Sequence, residues 1–409
     1  MIDKTTNKTV LIAMTGGLES VVSAYLLKKQ GYRCIGIGFQ LFEANVDPGP
    51  FSEVVISDLN RVKTICSYLD IPFYAVDASE EFSYLVVDPV VGRILSGQTY
   101  EPLVFLNLVL IELLLKKAAK FNTKLIATGH YAKVLKNQKS GSFELIVAND
   151  LEHDQSYLLS RLDQKHLENL ILPLSEIRKK EVEKIGELIK VDFQKRSKHS
   201  IHQIMRDPRM INFVESRSSR DLRRVGSIFD YREAGAICEH QGIHHFYIGQ
   251  KNVVSKIENQ INPEKEIISI VPFKGNVFID YSNRLKYTHA LICKFVPAAH
   301  LDTTLPLFVY VKMSPTAAKI SCRLYFKNND TCVVDFENER SGLLIAGQMF
   351  VFYSRELDKG KVLGSGIVEV GGVFKKEGFN TLPINRRDVD EGDEDGTKHK
   401  KIYDEKLHF

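Results

Sequence analysis

The sequence has few cysteines, and their spacing fits neither a metal site nor a disulfide framework. Six cysteines are spread over 409 residues without a single CxxC pair. The sequence therefore predicts neither a zinc knuckle nor a disulfide-stabilised domain. We interpret most of the six thiols as inert core residues, and we expect no structural metal.

Long hydrophobic runs and a secretory leader are also missing. The longest apolar run, residues 103–115, is interrupted by Asn107 and Glu112 and is too short to cross a bilayer, so it predicts a buried helix. The chain opens on a mostly polar stretch, Met1–Lys8, which does not resemble a signal peptide. We therefore expect a cytoplasmic protein with no membrane partner.

A strong charge of either sign is absent as well. The formal net charge is +4, too small to indicate a nucleic-acid partner by itself. With 44% hydrophobic and 26% charged residues, the composition is that of an ordinary soluble protein. The length is sufficient for two or three domains.

The stretch 11–22 has the pattern of a phosphate-binding turn. An apolar run that ends at Met14 predicts a buried strand, and a helical pattern begins at Ser20. Between them, Thr15, Gly16 and Gly17 would place backbone N–H groups at the N-terminus of the helix, where the macrodipole favours an anion. The alternative interpretation is an ordinary turn between a strand and a helix.

Strands and helices alternate from Thr9 to Ala127, which predicts an α/β domain with a doubly wound parallel sheet. The expected strands are Val10–Met14, Cys34–Phe39, Phe73–Val76 and Leu125–Thr128, and the expected helices are Val21–Gln30, Asp58–Leu69 and Val104–Lys120. In such sheets ligands bind at the carboxyl ends of the strands, where the glycine turn lies.

A second group of polar residues follows the strand at 125–128. Gly129 permits close backbone approach, while His130 and Tyr131 offer a titratable ring and a stacking surface; a purely structural role is the alternative. Further along, Asp154 is expected to be the N-cap of a helix.

After Lys286 the pattern changes to short strands separated by turn signals, which predicts an antiparallel barrel. The expected strands are His289–Phe295, Leu307–Lys312, Lys319–Phe326, Thr331–Phe336, Met349–Tyr353 and Val362–Val368. The polar stretch from about Lys375 onward is expected to be a disordered or loosely docked tail.

Several motifs resemble those of known families. Thr15-Gly-Gly-Leu-Glu-Ser20 resembles the PP-loop, Ser-Gly-Gly-x-Asp-Ser, of the ATP pyrophosphatases, with Thr15 for Ser and Glu19 for Asp. Matches to the bacterial tRNA-specific 2-thiouridylases then follow in the family's order from about residue 9 to 370: Ala127–Ala132, Asp154–Tyr157, Pro173-Leu174, Lys180–Val182, Ile248–Lys251, Ala346–Tyr353 and Leu363–Glu369.

The resemblance implies a PP-loop domain (1–165), a small central helical or mixed domain that binds tRNA (166–284), a C-terminal antiparallel β-barrel (285–374) and a polar tail (375–409). It also implies ATP with Mg²⁺ as cofactor and tRNA as partner. Between Arg178 and Arg224 there are fourteen Lys and Arg but only seven Asp and Glu. This excess of positive charge suits phosphate contacts, and a solvated basic helix face is the alternative.

The resemblance also assigns candidate site residues. The ATP-binding candidates are Ala13, Met14, Thr15, Gly16, Gly17, Leu18, Glu19, Ser20, Phe39 and Gly129. The tRNA-binding candidates are Glu101, Pro102, His130, Asp154, Gln155, Arg223, Arg224 and Gln348.

The residues that carry sulfur in the family are missing. The family's first cysteine and its acid lie in a Thr-Pro-Asn-Pro-Asp-x-x-Cys-Asn pattern, and the matching stretch Thr99–Asn107 has Leu103 for the acid and Leu106 for the cysteine. The second cysteine position is occupied by Ile204. Aliphatic side chains can neither accept a proton nor hold a persulfide, so no catalytic residue is assigned.

Three hypotheses remain. The chain is an ATP-dependent tRNA 2-thiouridylase supplied by an outside sulfur donor, such as a sulfur-relay protein. Alternatively, it is a catalytically degenerate relative that binds tRNA or another RNA, with nucleotide, as an accessory or scaffold. The third hypothesis, another PP-loop adenylation that serves a nitrogen nucleophile, ranks last because the sequence shows no amidotransferase domain.

Overall fold

The structure is a computed structural model that describes residues 8–43, 46–52, 58–190, 201–253, 263–298, 301–355, 360–375 and 378–381. Most of the stretch expected to be a tail, and His199 and Ser200 of the second cysteine motif, lie outside the described residues. Within the described residues no helix combines the length and the apolar character that crossing a bilayer requires.

The N-terminal part is a five-stranded parallel sheet with helices on both faces, as predicted. The strands of this sheet are β1 (Thr9–Ala13), β2 (Arg33–Gln40), β3 (Phe73–Asp77), β4 (Ile126–Ala127) and β7 (Leu170–Ile171). Strands β5 (Lys133–Lys136) and β6 (Phe143–Ile146) form a separate hairpin. The helices are α1 (Leu18–Lys29), α2 (Leu59–Tyr68), α3 (Ser79–Phe82), α4 (Asp88–Leu95), α5 (Pro102–Lys120), α6 (Gln164–Asn169) and α7 (Lys179–Ile189).

Alternation along β1 explains the two helical layers. Leu11 points into a core shared with α5, whereas Val10 and Ile12 point into a core shared with α1 and α7. Successive residues of a strand face opposite sides of the sheet, so an apolar run buries both faces. The strand order is β3-β2-β1-β4-β7, with parallel pairing throughout.

The central part is mixed rather than mainly helical. Helix α8 (Arg209–Arg217) precedes a four-stranded sheet in the order β10-β11-β8-β9. These strands are β8 (Gly226–Asp230), β9 (Ala236–His240), β10 (Glu266–Val271) and β11 (Asn276–Asp280). Its small core contains Ile228, Ile243 and Ile267.

The C-terminal part is a closed six-stranded antiparallel barrel, as predicted. Its strands are β12 (Lys286–Pro297), β13 (Leu307–Lys312), β14 (Ile320–Phe326), β15 (Cys332–Ser341), β16 (Met349–Tyr353) and β17 (Val362–Lys375). Pairing of β12 with β17 closes the ring, and a further strand, β18 (Gly378–Thr381), pairs with β17 inside the stretch expected to be tail.

The barrel shares a hydrophobic core with the N-terminal part. Met349 and Tyr353 of the barrel belong to the same buried cluster as Leu106 of α5. The hydroxyl of Tyr157 donates a hydrogen bond to the carbonyl of Met349 at 2.9 Å, and that of Ser365 donates to the carbonyl of Ser160 at 3.1 Å. These contacts place the barrel beside the segments that carry the candidate tRNA-binding residues.

Candidate nucleotide and RNA site

The glycine turn lies where the order of the parallel strands reverses direction. From β1 the chain proceeds outward to β2 and β3 on one side, and then returns to β4 and β7 on the other. The turns after β1 and β4 are therefore neighbours at the carboxyl edge, where open α/β sheets bind ligands. The first turn carries Gly16 and Gly17, and the second carries Gly129.

Backbone geometry explains the glycine at position 16. Gly16 has φ of +73°, which side chains rarely adopt, and a Cβ there would lie 3.1 Å from Cγ2 of Val62. The turn is held by Ser20, whose hydroxyl donates to the carbonyl of Gly17 at 2.9 Å and accepts from the Thr15 amide at 3.3 Å. Gly17 is the N-cap of α1 and gives it no side-chain cap, so the helix N-terminus is suited to an anion.

The turn after β4 packs directly on the first turn of α1. A Cβ at Gly129 would lie 2.8 Å from the carbonyl carbon of Glu19, so only glycine allows this approach. Next to it, Nδ1 of His130 is 2.9 Å from the hydroxyl of Thr128. Burial lowers the pKa of His130 to about 4 despite the opposing charge of Glu19, so the ring is neutral at physiological pH.

Lys179 is a candidate site residue that the sequence did not single out. Its ammonium forms an ion pair with the carboxylate of Glu19, and it is the first residue of α7, which packs against α1. This position places a lysine charge beside the glycine turn at residues 15–20. The signal was present in the sequence, since Lys179 directly precedes the matched motif Lys180–Val182.

Four other ATP-binding candidates pack in or against the core beneath the sheet edge that carries the turn. Met14, Leu18 and Phe39 are buried core residues at the ends of β1 and β2 and the start of α1, and Ala13 is partly buried. They fix the position of the turn rather than offering polar groups to a ligand.

A cavity of about 480 Å³ lies between the N-terminal part, the central part and the barrel. It brings together two tRNA-binding candidates, Glu101 and Gln348, with Gln250 of the matched motif Ile248–Lys251. Thr99 also lines it and fixes the wall, because its amide donates to the carbonyl of Ala346 at 3.1 Å. Its volume is in the range of small-ligand sites.

Glu101 gives this cavity an unusual carboxyl group. The side chain is buried directly before Pro102, the first residue of α5, and burial raises the pKa of Glu101 to about 8. The carboxyl is therefore mainly protonated at neutral pH, and it can donate a hydrogen bond. Gln348 is oriented by the hydrogen bond that its amide donates to the carbonyl of Met313 at 2.9 Å.

The other tRNA-binding candidates do not line this cavity. Gln155 accepts a hydrogen bond from the Tyr131 amide at 3.0 Å. The prediction that Asp154 caps a helix is wrong, because the segment Ser156–Leu159 is a 3₁₀ turn whose N-cap is Gln155. Asp154 instead accepts hydrogen bonds from the hydroxyl of Ser156 at 2.7 Å and the amide of Ala148 at 3.0 Å.

The adjacent arginines have different environments. The Arg223 guanidinium donates to the backbone carbonyls of Glu215 and Ser218 at 2.6 Å and 3.0 Å, which ties it to the protein. Arg224 is exposed, with φ of +49°. Of the two arginines expected to contact phosphates, only Arg224 therefore presents an exposed guanidinium.

The residues that the sequence comparison matches to the family's sulfur carriers lie in the hydrophobic core. Leu106 and Ile204 are 5% and 6% exposed and belong to the same buried cluster, and Leu103 packs against it. The cavity lining includes Met205 but neither Leu106 nor Ile204.

Burial disfavours the thiolate form of all six cysteines. Burial raises the pKa of Cys34 to about 11 and that of Cys66, Cys322 and Cys332 to about 12, and it raises the pKa of Cys238 and Cys293 as well. A reactive cysteine needs a lowered pKa, because the thiolate is the nucleophile.

Two family profiles match the chain in the order of its domains. Residues 8–205 match the tRNA methyl transferase HUP domain, and residues 292–368 match the aminomethyltransferase beta-barrel domain. Together with the parallel sheet, its glycine turn and the closed barrel, these matches define a PP-loop protein of the HUP class with a C-terminal barrel.

The chain matches curated relatives over nearly their whole length. The chain is 30% identical over 365 residues to tRNA-specific 2-thiouridylase MnmA 2 of Clostridium botulinum, covering 88% of this chain and 98% of the relative. It is 29% identical over 372 residues to tRNA-specific 2-thiouridylase MnmA 1 of Clostridium tetani, covering 90% and 98%. The chain therefore belongs to the tRNA-specific 2-thiouridylase family.

Proposed function

We propose that this chain binds ATP and tRNA but does not itself carry the sulfur for 2-thiolation, and that it acts as an accessory or scaffold in tRNA modification. Its relatives are named for 2-thiolation of tRNA, which supports tRNA as the partner and ATP as the cofactor. The proposal departs from the relatives' names only at the sulfur-transfer step.

The turn at residues 15–20 supports nucleotide binding. The open N-terminus of α1, the close approach of Gly129 and the ammonium of Lys179 are suited to a triphosphate. ATP, accompanied by Mg²⁺, would supply an adenylyl group when bound. The residues of the chain would orient its phosphates through backbone N–H groups and neutralise charge with Lys179.

The single observation that carries the loss of sulfur transfer is the burial of Leu106 and Ile204 in one aliphatic cluster. The raised pKa of every cysteine supports it independently, because burial disfavours the thiolate form of each thiol. The cavity at Glu101 and Gln348 supports retained contact with RNA.

A thiolation assay tests this proposal. The purified chain is incubated with cognate tRNA, ATP and a persulfide donor, and 2-thiouridine is measured by mass spectrometry beside an active relative as positive control. We expect no 2-thiouridine above the protein-free background, together with measurable binding of both ATP and tRNA. Formation of 2-thiouridine in repeated turnovers would overturn the proposal.

The same mixtures also show whether adenylation remains. Pyrophosphate release that requires tRNA would indicate that the first half of the family's reaction is retained. Failure to bind either ATP or tRNA would contradict the binding part of the proposal.

A further inference from the structure

Two histidines and a glutamate converge at one edge of the cavity. His244 and His245 lie in the 3₁₀ turn Ile243–His245 of the central part, and Glu215 lies on α8. Oε1 of Glu215 is 3.0 Å from Nε2 of His244 and 3.9 Å from Nε2 of His245. One ligand atom from each of the three residues lies within 4.8 Å of the other two.

We propose that this His–His–Glu cluster (Glu215, His244 and His245) is a binding site for Zn²⁺ with an open fourth position. Two imidazole nitrogens and a carboxylate oxygen are a donor set that zinc accepts, and three protein ligands leave room for an exchangeable one. Ligand bonds of about 2.0–2.1 Å in a tetrahedron place ligand atoms roughly 3.3 Å apart. The distances from Oε1 of Glu215 to Nε2 of His244 and Nε2 of His245, 3.0 Å and 3.9 Å, lie on either side of that value.

The site is held in place before any metal binds. The His244 side chain is fully buried, and a Cβ at the neighbouring Gly242 would lie 2.5 Å from its Nδ1. Backbone contact on that side leaves Nε2 as the nitrogen that faces Glu215. The rings of His244 and His245 are only 4.4 Å apart between centroids, which holds the second imidazole next to the first.

One positive charge opposes the metal and limits its affinity. Nη1 of Arg223 is 3.9 Å from Oε1 of Glu215. The guanidinium is anchored independently by its hydrogen bonds to the carbonyls of Glu215 and Ser218, so it does not need the carboxylate to stay in position. We therefore expect binding weaker than that of a four-ligand structural zinc site.

The open position faces the cavity. His244 and His245 both line it, together with Tyr247 and Thr99. A metal held there would present a bound water to the cavity, and an oxygen atom of a cavity ligand could replace that water. The site would thereby add a Lewis acid to a cavity whose lining already includes the amide side chains of Gln250 and Gln348 and the carboxyl of Glu101.

A second group of potential ligands provides a control. Asp150, Glu152 and His153 also lie within mutual reach, but Glu152 and His153 are exposed. Oδ2 of Asp150 already accepts a hydrogen bond from the Lys179 amide at 2.8 Å. Weak surface binding of zinc would be expected to involve this group, and substitution of His153 detects it.

The test is a zinc titration of the full chain without an affinity tag. Isothermal calorimetry in a metal-buffered solution measures the affinity, and the visible absorption of Co²⁺ in place of Zn²⁺ reports the number and kind of ligands. We expect a single ion per chain, with affinity reduced roughly tenfold or more in His245→Ala and Glu215→Gln and unchanged in His153→Ala.

Two results would overturn the proposal. One is the absence of zinc binding into the micromolar range, and the other is equal affinity in the wild type, His245→Ala and Glu215→Gln. Glu215→Gln keeps a hydrogen-bond acceptor for His244, and circular dichroism confirms that each variant is folded, so a loss of binding reports the ligand itself.

Discussion

At the scale of single residues, the glycine turn at residues 15–20 depends on glycine at position 16. Its φ of +73° costs about 1–2 kcal/mol for a residue with a side chain. The added methyl group would also press on Val62. We predict that Gly16→Ala weakens ATP binding by tenfold or more, because the turn must shift and its N–H groups lose their alignment, as measured by calorimetry or fluorescent-nucleotide displacement.

Gly141→Ala is the matched control for this prediction. Gly141 has nearly the same φ, +72°, and a Cβ there would meet nothing within 4 Å. It should lose a similar amount of stability but keep its ATP affinity. Equal effects of the two substitutions on ATP affinity would mean that the turn at Gly16 has no part in nucleotide binding.

The buried carboxyl of Glu101 makes stability depend on pH. Burial raises its pKa from the usual 4.5 to about 8, so the folded state holds this proton over a pH range where the unfolded chain releases it. The free energy of unfolding should therefore fall as pH rises from about 4.5 to 8, by up to about 1.4 kcal/mol per pH unit.

Glu101→Gln should remove this dependence, because glutamine cannot ionise. Urea unfolding between pH 5.5 and 8.5 would then show a smaller loss of stability toward alkaline pH in Glu101→Gln than in the wild type. Glu168→Gln changes an exposed carboxyl and serves as the control. A slope in Glu101→Gln equal to that of the wild type would contradict the burial of an ionisable Glu101.

Local sequence predicted some of these residues and not others. The glycine turn at 15–20 was predictable because its requirement, a positive φ before a helix, is local. The hydrogen bonds that tie Arg223 to the protein were not predictable, because the carbonyls that accept them belong to α8 and to the loop after α8. The convergence of Glu215 with His244 was not predictable for the same reason, since 28 residues separate the two positions.

At the scale of elements, apolar periodicity predicted the types of helices and strands well. The run at 103–115 is inside α5, and the expected β-strands of the barrel appear within a few residues of their positions. The helix expected after Asp154 is instead a short 3₁₀ turn, because the Asp154 carboxylate is engaged with Ala148 and Ser156. Hydrogen bonds to other parts of the structure therefore outweighed the local signal for a helix cap at Asp154.

The packing of α7 against α1 yields a prediction at the same scale. It places Lys179 beside Glu19 and the turn. We predict that Lys179→Met weakens ATP binding by roughly tenfold, since a cation near the phosphates is removed. Lys180→Met, at the exposed neighbouring position, should bind ATP as the wild type does. Competition binding with ATP at constant ionic strength distinguishes the two.

The result for Lys179 also has a clear contrary outcome. If Lys179→Met bound ATP as tightly as Lys180→Met, the lysine would be only the structural partner of Glu19. The free energy of unfolding, measured in the same samples, separates this case from a general loss of folding.

At the scale of the whole molecule, the barrel and the PP-loop domain act as one packed unit. They share a hydrophobic cluster that includes Leu106 and Ile204, the residues matched to the family's sulfur carriers. The sequence predicted both domains because each has its own periodicity. It could not predict their joint core, because that core depends on contacts between residues more than 200 positions apart, such as the hydrogen bond from Ser365 to Ser160.

Gly347 is the point where this joint structure is most sensitive. It has φ of +86°, and a Cβ there would lie 2.2 Å from the carbonyl oxygen of Thr99, at the wall of the cavity. We predict that Gly347→Ala lowers the free energy of unfolding by roughly 2–5 kcal/mol, combining backbone strain with overpacking. The control Gly342→Ala has φ of +125° and nothing within 4 Å of its Cβ, so it should lose only the backbone strain of about 1–3 kcal/mol.

The same pair of variants tests whether the cavity contributes to RNA binding. Displacement of Thr99 by the new methyl group changes the wall that carries Glu101 and Gln348, so Gly347→Ala should also bind tRNA more weakly in filter-binding assays, at temperatures where circular dichroism shows it folded. Gly342→Ala should bind tRNA as the wild type does. If the folded Gly347→Ala variant kept full tRNA affinity, RNA would contact another surface, of which the exposed Arg224 is a part.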